Sequence, residues 1–293
     1  MRMKKEYRYA VVAVLLWATL SPVTKIVLKT IPNMEALALG SLVAFLFLLL
    51  LNIGKKKTDL LKKWSRKDYM TVSMLGFIGL FLYSALYYYG ISVMSSQDAC
   101  IINYLWPLMI VIFSVFILKE KMNFRKGIAI VLSFLGVVLV ATKGNPASMD
   151  ITNLKGILSC MGAAVCYGLF SVYNKKKNYD QNLSMMIFFG VSAVCAGIMS
   201  VLTEQVVAVR PEQFAGIIWI GILVNAVGYL SWCLALNGGE TAKISNLAYI
   251  TPFLSMLLSH FMLGEELSVW SFLGLVLIIG GILIQVGPVE KKA

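Results

Sequence analysis

The chain has 293 residues, 59% of them apolar and only 14% charged, and its 26 Lys and Arg against 14 Asp and Glu leave a formal charge of +12. A soluble domain carries about 25% charged residues, so this composition excludes a cytosolic enzyme, a disordered chain and, despite the basic balance, a nucleic-acid-binding protein. A membrane has to account for the charge instead.

A bilayer-crossing helix needs about 20 mostly apolar residues. Ten windows qualify: 9–29, 34–53, 70–92, 97–118, 124–143, 155–174, 183–203, 213–236, 242–263 and 268–286. The predicted fold is an all-α integral membrane protein with ten transmembrane helices. Met1–Arg8 and the apolar run behind it imitate a secretion signal. The run continues through Trp17 and Pro22 to Leu28 without a small-x-small cleavage site, so it reads as an uncleaved first span.

Along the chain, helical spacing sorts the polar and aromatic side chains onto faces. Span 1 repeats Trp17, Ser21 and Lys25 at i+4. Span 3 repeats Tyr83 and Tyr87, with Gly76 and Gly79 below them. Span 4 carries Cys100, Asn103, Tyr104, Trp106 and Pro107, and span 6 lines up Ala163, Tyr167 and Ser171. Span 9 carries Ser245, Asn246, Tyr249 and Pro252. Asn in a span is costly unless it faces protein or water. Trp219 and Trp270 fit an interfacial aromatic belt. Gly127 and Gly136 in span 5, and Gly274, Gly280 and Gly281 in span 10, allow close backbone approach, either between repeats or across a dimer face.

Three prolines, Pro22, Pro107 and Pro252, fall inside spans 1, 4 and 9 and predict helix kinks there. Each lacks an N–H and clashes with the carbonyl four residues back. The carbonyls of Ala18, Asn103 and Ala248 therefore lose their helical partner, and in lipid such a group must be satisfied by protein or cavity water. Two readings stay open: the carbonyl accepts the ammonium of an amino acid, or a Ser or Thr hydroxyl takes it.

Basic residues orient the helices. With the N-terminus inside, 21 of the 26 Lys and Arg fall on the cytoplasmic face and four opposite, with Lys25 near the outer end of span 1. Both termini are then cytoplasmic. The acids are as informative by where they are missing. None of the 14 sits in the middle of a span: Glu35 and Asp98 open spans 2 and 4, while Glu120, Glu265 and Glu266 close spans 4 and 9. Glu120 and Glu265 read as helix-end polar anchors. Proton-coupled carriers keep a buried carboxylate as relay, and coupling of that kind finds no support here. His260, the one histidine, lies in the last turn of span 9 and reads as an interfacial residue. The five cysteines lie in apolar runs without a CxxC pair, so no disulfide framework, metal site or cofactor is implied.

The sequence also matches itself. A shift of 145 residues lays Tyr104-Leu-Trp-Pro107 on Tyr249-Ile-Thr-Pro252, with six identities over 17 positions, and a shift of 150 aligns Trp17, Ser21 and Lys25 with Tyr167, Ser171 and Lys175. Two five-helix repeats follow, 1–145 and 146–293. An odd number of spans inverts the second relative to the first, the architecture of alternating-access transporters with a substrate site at the repeat interface. Lys25 and Lys175 are equivalent; such lysines usually snorkel to headgroups, and the alternative is that one meets a substrate carboxylate.

With the five-plus-five pattern, the Trp17…Lys25 opening and the paired Pro-containing spans 4 and 9, the chain resembles the drug/metabolite transporter superfamily in its ten-helix, EamA-type branch. Asn103-Tyr-Leu-Trp-Pro107, Tyr167 through Asn174-Lys175, and Tyr249-Ile-Thr-Pro252-Phe-Leu-Ser255 look like the aromatic amino-acid and paraquat exporters of that branch. The resemblance implies a cavity enclosed by spans 1, 3, 4, 6, 8 and 9, in the cytoplasmic membrane of a prokaryote. The candidate substrate-binding residues are Trp17, Ser21, Tyr83, Tyr87, Asn103, Tyr104, Trp106, Tyr167, Asn246 and Tyr249. Aromatic walls suit a ring by stacking or a cation by cation–π attraction.

The expectation is therefore a transporter, not an enzyme, that exports aromatic or neutral apolar amino acids by facilitative alternating access. The alternative is a broad exporter of organic cations or other metabolites, with proton coupling. Its partners are a small-molecule substrate and the lipid bilayer, not nucleic acid, and monomer and homodimer both stay open.

Overall fold

A computed structural model describes residues 5–119, 121–145, 151–175, 179–203, 206–238 and 247–286, and among them the regular structure is helical. Eight helices are long and apolar enough to cross a membrane: Lys5–Val27, Asn33–Gly54, Arg66–Val93, Ser96–Ile117, Phe124–Thr142, Asn153–Lys175, Gln181–Thr203 and Gln213–Ala235. Two shorter apolar helices, Ala248–Leu263 and Val269–Ile284, follow. The chain is a ten-helix membrane protein, and these helices are spans 1 to 10. Glu120 and Asn246 lie outside the described residues.

Local chemistry places the helix ends. Ser65 and Asp68 form a capping box at the start of span 3, each side chain meeting the other's backbone N–H. Ser95 and Asn123 cap spans 4 and 5 with a single side-chain bond each, accepting from the N–H groups of Asp98 and Lys126. Span 9 stops at Gly264, whose φ of +70° is a left-handed conformation that glycine adopts without penalty. Leu50, Val201 and Phe261 stand exposed on the outside of the bundle, where lipid covers them.

Because lipid is as apolar as a leucine side chain, helices in a membrane associate through close packing rather than water exclusion. Spans 5 and 10 show this within one chain. A Cβ on Gly136 would lie 2.6 Å from the Gly274 carbonyl and 2.7 Å from Ile278 Cγ1; one on Gly281 would lie 2.9 Å from the Ala129 carbonyl. The two backbones touch along that seam. Gly127 and Gly280 have open space beside them and take no part in it.

Three spans are broken. Span 1 runs as Lys5–Ala18 and Leu20–Val27, and span 4 as Ser96–Asn103 and Trp106–Ile117. Span 9 enters through a 3-10 turn, Ala248–Ile250, before the helix Thr251–Leu263. Each break lies just before a proline: Pro22, Pro107 or Pro252. Spans 3 and 8 carry a different irregularity, a π-helical stretch at Phe77–Leu82 and at Trp219–Gly228. Such stretches widen a helix by one residue and recur at functional sites.

At the cytoplasmic end Lys57 donates to Asp180 at 2.7 Å, and Tyr179 donates to Asp68 at 2.8 Å. Partial burial pushes the Asp180 carboxyl up, but the Lys57 ammonium and the N–H groups of Leu183 and Asn182 outweigh it and hold the carboxyl below its ordinary value. A carboxyl lowered by folding contributes stability that is present at neutral pH and lost as pH falls through the lowered value.

Two outcomes are expected. Gly136→Ala should lower the stability of the purified protein by about 1–3 kcal/mol through overpacking, whereas Gly280→Ala should leave the Tm unchanged. Asp180→Asn should lower the Tm at neutral pH, and its difference from wild type should close on acidification.

Candidate functional site

A central cavity of about 80 Å³ lies between the helices. Spans 1, 3, 4, 6, 8 and 9 line it, and Leu37 and Ser41 of span 2 and Phe189 of span 7 join them. Of the residues singled out by sequence, Trp17, Tyr83, Tyr87, Asn103, Tyr104, Trp106 and Tyr167 face this space. The rings of Tyr83, Tyr87, Tyr104, Trp106 and Tyr167 form a continuous chain of contacts. Tyr83 meets Tyr87 at 6.0 Å and Tyr167 at 5.0 Å between centroids; Trp106 meets Tyr167 edge-on at 5.2 Å. Trp17 packs against Tyr229 and Trp232, both at 5.3 Å. Glycine makes room for these rings. A Cβ on Gly228, at the end of the π-helical stretch of span 8, would lie 2.8 Å from Trp17 Nε1, and one on Gly79 in span 3 would overlap the Phe170 ring.

Polar groups in the wall are neutral. Asn103 donates from Nδ2 to the Tyr83 hydroxyl at 3.1 Å, and its Oδ1 is buried without a partner, as is the Thr251 hydroxyl. Asn225 completes the set. Among the described residues no charged side chain lines the cavity. An empty apolar cavity of about 150 Å³ accepts a benzene ring; this one is about half that size, so a ring enters only when the aromatic side chains part.

Two candidates lie off the wall. Ser21 donates to the Ser96 carbonyl at 2.7 Å, and Tyr249 packs partly buried against the core beside span 4. Position, however, missed Asn225, Tyr229 and Thr251. For Thr251 the signal was available in the 145-residue shift, which lays it on Trp106; the same shift lays Asn225 on Leu80 and Tyr229 on Ser84, neither of them singled out by the sequence, though all six line the cavity.

One of the freed carbonyls has a partner. Ala248, four residues before Pro252, is met by the Tyr104 hydroxyl at 2.8 Å. That carbonyl is not open to a substrate ammonium, and its partner is a Tyr on the opposite broken span rather than a Ser or Thr. Trp219 is not a simple belt residue, because its indole N–H donates to Thr19 at 2.8 Å, at the break in span 1.

The outer end is sealed by charge against backbone. Spans 3 and 4 are joined by Met94 and Ser95 alone, which leaves the carbonyls that end one helix and the N–H groups that open the next without helical partners. Lys25 neither snorkels to headgroups nor faces the cavity: its ammonium donates to the carbonyls of Ile91, Met94 and Ser92 at 2.6, 2.8 and 3.2 Å. The Glu265 carboxylate accepts from the N–H groups of Ser96 at 2.7 Å and Gln97 at 3.1 Å. Gln97 in turn donates to the Glu266 carbonyl at 2.6 Å, and Ser96 to the Ser259 hydroxyl at 2.7 Å. Asp98, buried one turn in, accepts from the Ser271 hydroxyl, and Lys143 lies 3.9 Å away. His260 Nδ1 donates to the Glu265 carbonyl at 2.8 Å and so braces the turn that presents this carboxylate.

The opposite end is open. A vestibule of about 430 Å³ is lined by polar Asn174, Lys175, Gln181 and Ser184 and by aromatic Phe170 and Trp232. Tyr167 and Tyr229 line both the vestibule and the central cavity and stand between them.

Comparison with known proteins agrees with this architecture. The profile of the EamA-like transporter family matches twice, over residues 4–142 and 154–287. An uncharacterized transporter, YyaM, of Bacillus subtilis (strain 168) is 27% identical over 251 residues, covering 84% of this chain and 80% of its own. The aromatic amino acid exporter YddG of Ancylobacter novellus is 24% identical over 184 residues, covering 62% of this chain and 64% of its own. A crystal structure at 21% identity superposes with a TM-score of 0.71 over 97% of this chain and 98% of that one, a likeness of fold.

The seal makes a testable demand. Glu265→Gln keeps the side chain's shape, but an amide turns one NH2 toward a backbone N–H, so a charge-assisted hydrogen bond of about 1.5–3 kcal/mol is lost. In a chain whose other four cysteines are alanine, Cys100 on the cavity wall should react about ten-fold faster with an impermeant maleimide added outside; an unchanged rate would show that Glu265 does not hold this end shut.

Proposed function

The chain belongs to the EamA-like transporter family, as a multi-pass transporter of the cytoplasmic membrane, and we propose that it exports aromatic or neutral apolar amino acids. One observation carries this reading: an uncharged, ring-lined cavity between the helices, sealed at the outer end and reached from the basic end through a wide vestibule. A zwitterion has no net charge to neutralise, and its ring is met by Trp17, Tyr83, Trp106, Tyr167 and Tyr229. Asn103 Oδ1 and the Thr251 hydroxyl, both buried and without partners, supply the polar contacts that orient it.

The chain divides into repeats 1–145 and 146–293, each of five spans, the second inverted. The two matches of the family profile support the division, as do the paired wall positions 145 residues apart. Broken spans 1, 4 and 9 and the π-helical stretches of spans 3 and 8 place adaptable backbone around the cavity, where irregular helix is tolerated because protein or cavity water satisfies it. Transport proceeds by alternating access. Solute enters through the vestibule, and its ring displaces the aromatic side chains that fill the cavity. The outer seal then opens as the vestibule closes. The acids at the outer end, Glu265 and Asp98, are held by backbone and by Ser271 rather than facing the cavity; among the described residues no carboxylate lines the cavity as a proton relay, which supports a cycle driven by the substrate gradient.

The alternative substrate, an organic cation, is favoured by the same rings through cation–π attraction, but the wall offers it no anion among the described residues. Counterflow in liposomes separates the two. The purified protein should exchange a neutral aromatic amino acid without an imposed pH gradient, and Trp106→Ala or Tyr167→Ala should lower the rate at least about ten-fold, the loss of one ring's stacking being about 0.5–1.5 kcal/mol beyond its buried area. Absence of counterflow with every amino acid tested, beside uptake of paraquat, would transfer the reading to the cation.

A further inference from the structure

We propose that the cytoplasmic vestibule is a second binding site, one that captures the carboxylate of a ring-bearing solute through Lys175 and Ser184 before the ring reaches the central cavity. The natural ligand rests on the amino-acid reading above; the carboxylate chemistry rests on the vestibule itself. At about 430 Å³ the vestibule is several times the size of the central cavity and large enough for a substituted ring. Its walls divide the work, with Tyr167, Tyr229 and Trp232 on the apolar side and Lys175, Gln181 and Ser184 on the polar side.

Lys175 is exposed and lines this space. Its counterpart Lys25 is held by three backbone carbonyls, so of this pair only Lys175 has its charge directed at a solvent-filled chamber. Ser184 is 3% exposed, and its hydroxyl has no hydrogen-bond partner. A buried hydroxyl left unmatched costs about 1–3 kcal/mol, a cost that an acceptor arriving in the vestibule removes. Among the described residues no Asp or Glu lines the chamber. Asp180, which opens the same helix as Ser184, is engaged by Lys57 and by the N–H groups of Asn182 and Leu183. That also occupies the first N–H groups of the helix, and leaves the anion to the side chains. A cationic mouth without acids concentrates carboxylates and repels simple cations. A carboxylate held at Lys175 leaves the attached ring against Tyr167 and Tyr229, the two rings shared with the central cavity.

Phenylacetate, which has the ring and the carboxylate but no ammonium, tests the site apart from transport. Calorimetric titration of the purified full chain should show phenylacetate binding that weakens about ten-fold or more in Lys175→Ala, recovers in Lys175→Arg and weakens less in Ser184→Ala. Phenethylamine binding should be the same in all four proteins. No binding of phenylacetate by the wild type, or equal binding by Lys175→Ala, would overturn the capture site. In liposomes loaded with phenylalanine on the cytoplasmic side, Lys175→Ala should raise the half-saturation concentration and leave the maximal rate unchanged. Lysine-dependent phenylacetate binding without phenylalanine counterflow would retain the capture site and reject the amino-acid reading. Phenylalanine counterflow indifferent to Lys175 would do the reverse.

Discussion

A backbone polar group in a membrane protein has to find its partner within the protein, and the architecture at both ends of this bundle follows from that rule. Spans 3 and 4 turn back on each other through two residues, too few to let water or a loop satisfy the groups that the helix ends expose. Lys25 from span 1 takes the carbonyls, and Glu265 beyond span 9 takes the N–H groups. The positive charge sits at the negative end of one helix dipole and the negative charge at the positive end of the next. Each ion therefore closes a hairpin and draws a distant span across the outer end. Sealing the solute path and satisfying the backbone are the same set of bonds.

Deeper in, the rule shapes the cavity. Proline at position 252 deprives the Ala248 carbonyl of its helical donor, and Tyr104 supplies a hydroxyl from the other broken span. An aromatic that looks like a substrate contact in the sequence thus has two tasks, one edge facing the cavity and its oxygen holding a kink in place. Among the described residues no charged side chain stands in the wall. The outer lysine of the equivalent pair is bound to backbone, while the inner one stands in open water at the vestibule. On the entry path proposed above, a solute meets charge at the mouth before it meets a neutral, ring-lined wall within.

Much of this was legible in the sequence. Hydropathy alone located ten helices within a few residues, because lipid tolerates little else over 20 residues. Helical spacing found seven of the cavity residues, Trp17 through Tyr167. It misplaced Ser21, whose face was right but whose hydroxyl turns to the Ser96 carbonyl one helix away. Lys25 was misread because its partners are backbone carbonyls, and no residue type announces them. Asn225 and Tyr229 escaped because helical spacing singled out no face of span 8, and their counterparts 145 residues earlier, Leu80 and Ser84, were not singled out either. The vestibule could not be read at all: its walls come from spans 6, 7 and 8, and only packing brings Trp232 opposite Lys175.

The π-helical stretches in spans 3 and 8 bear on what changes these helices can absorb. Each holds one residue more than an α-helix of the same rise would. Deleting a residue from Phe77–Leu82 would let the stretch relax to α geometry while Tyr83 and Tyr87 beyond it keep their orientation, whereas the same deletion from an uninterrupted α-helix would turn everything beyond it by about 100° about its axis. The same holds for Trp219–Gly228 and Tyr229. These two spans can therefore lose one residue from the π stretch and keep their register, and that register, as much as their composition, keeps the aromatic wall assembled.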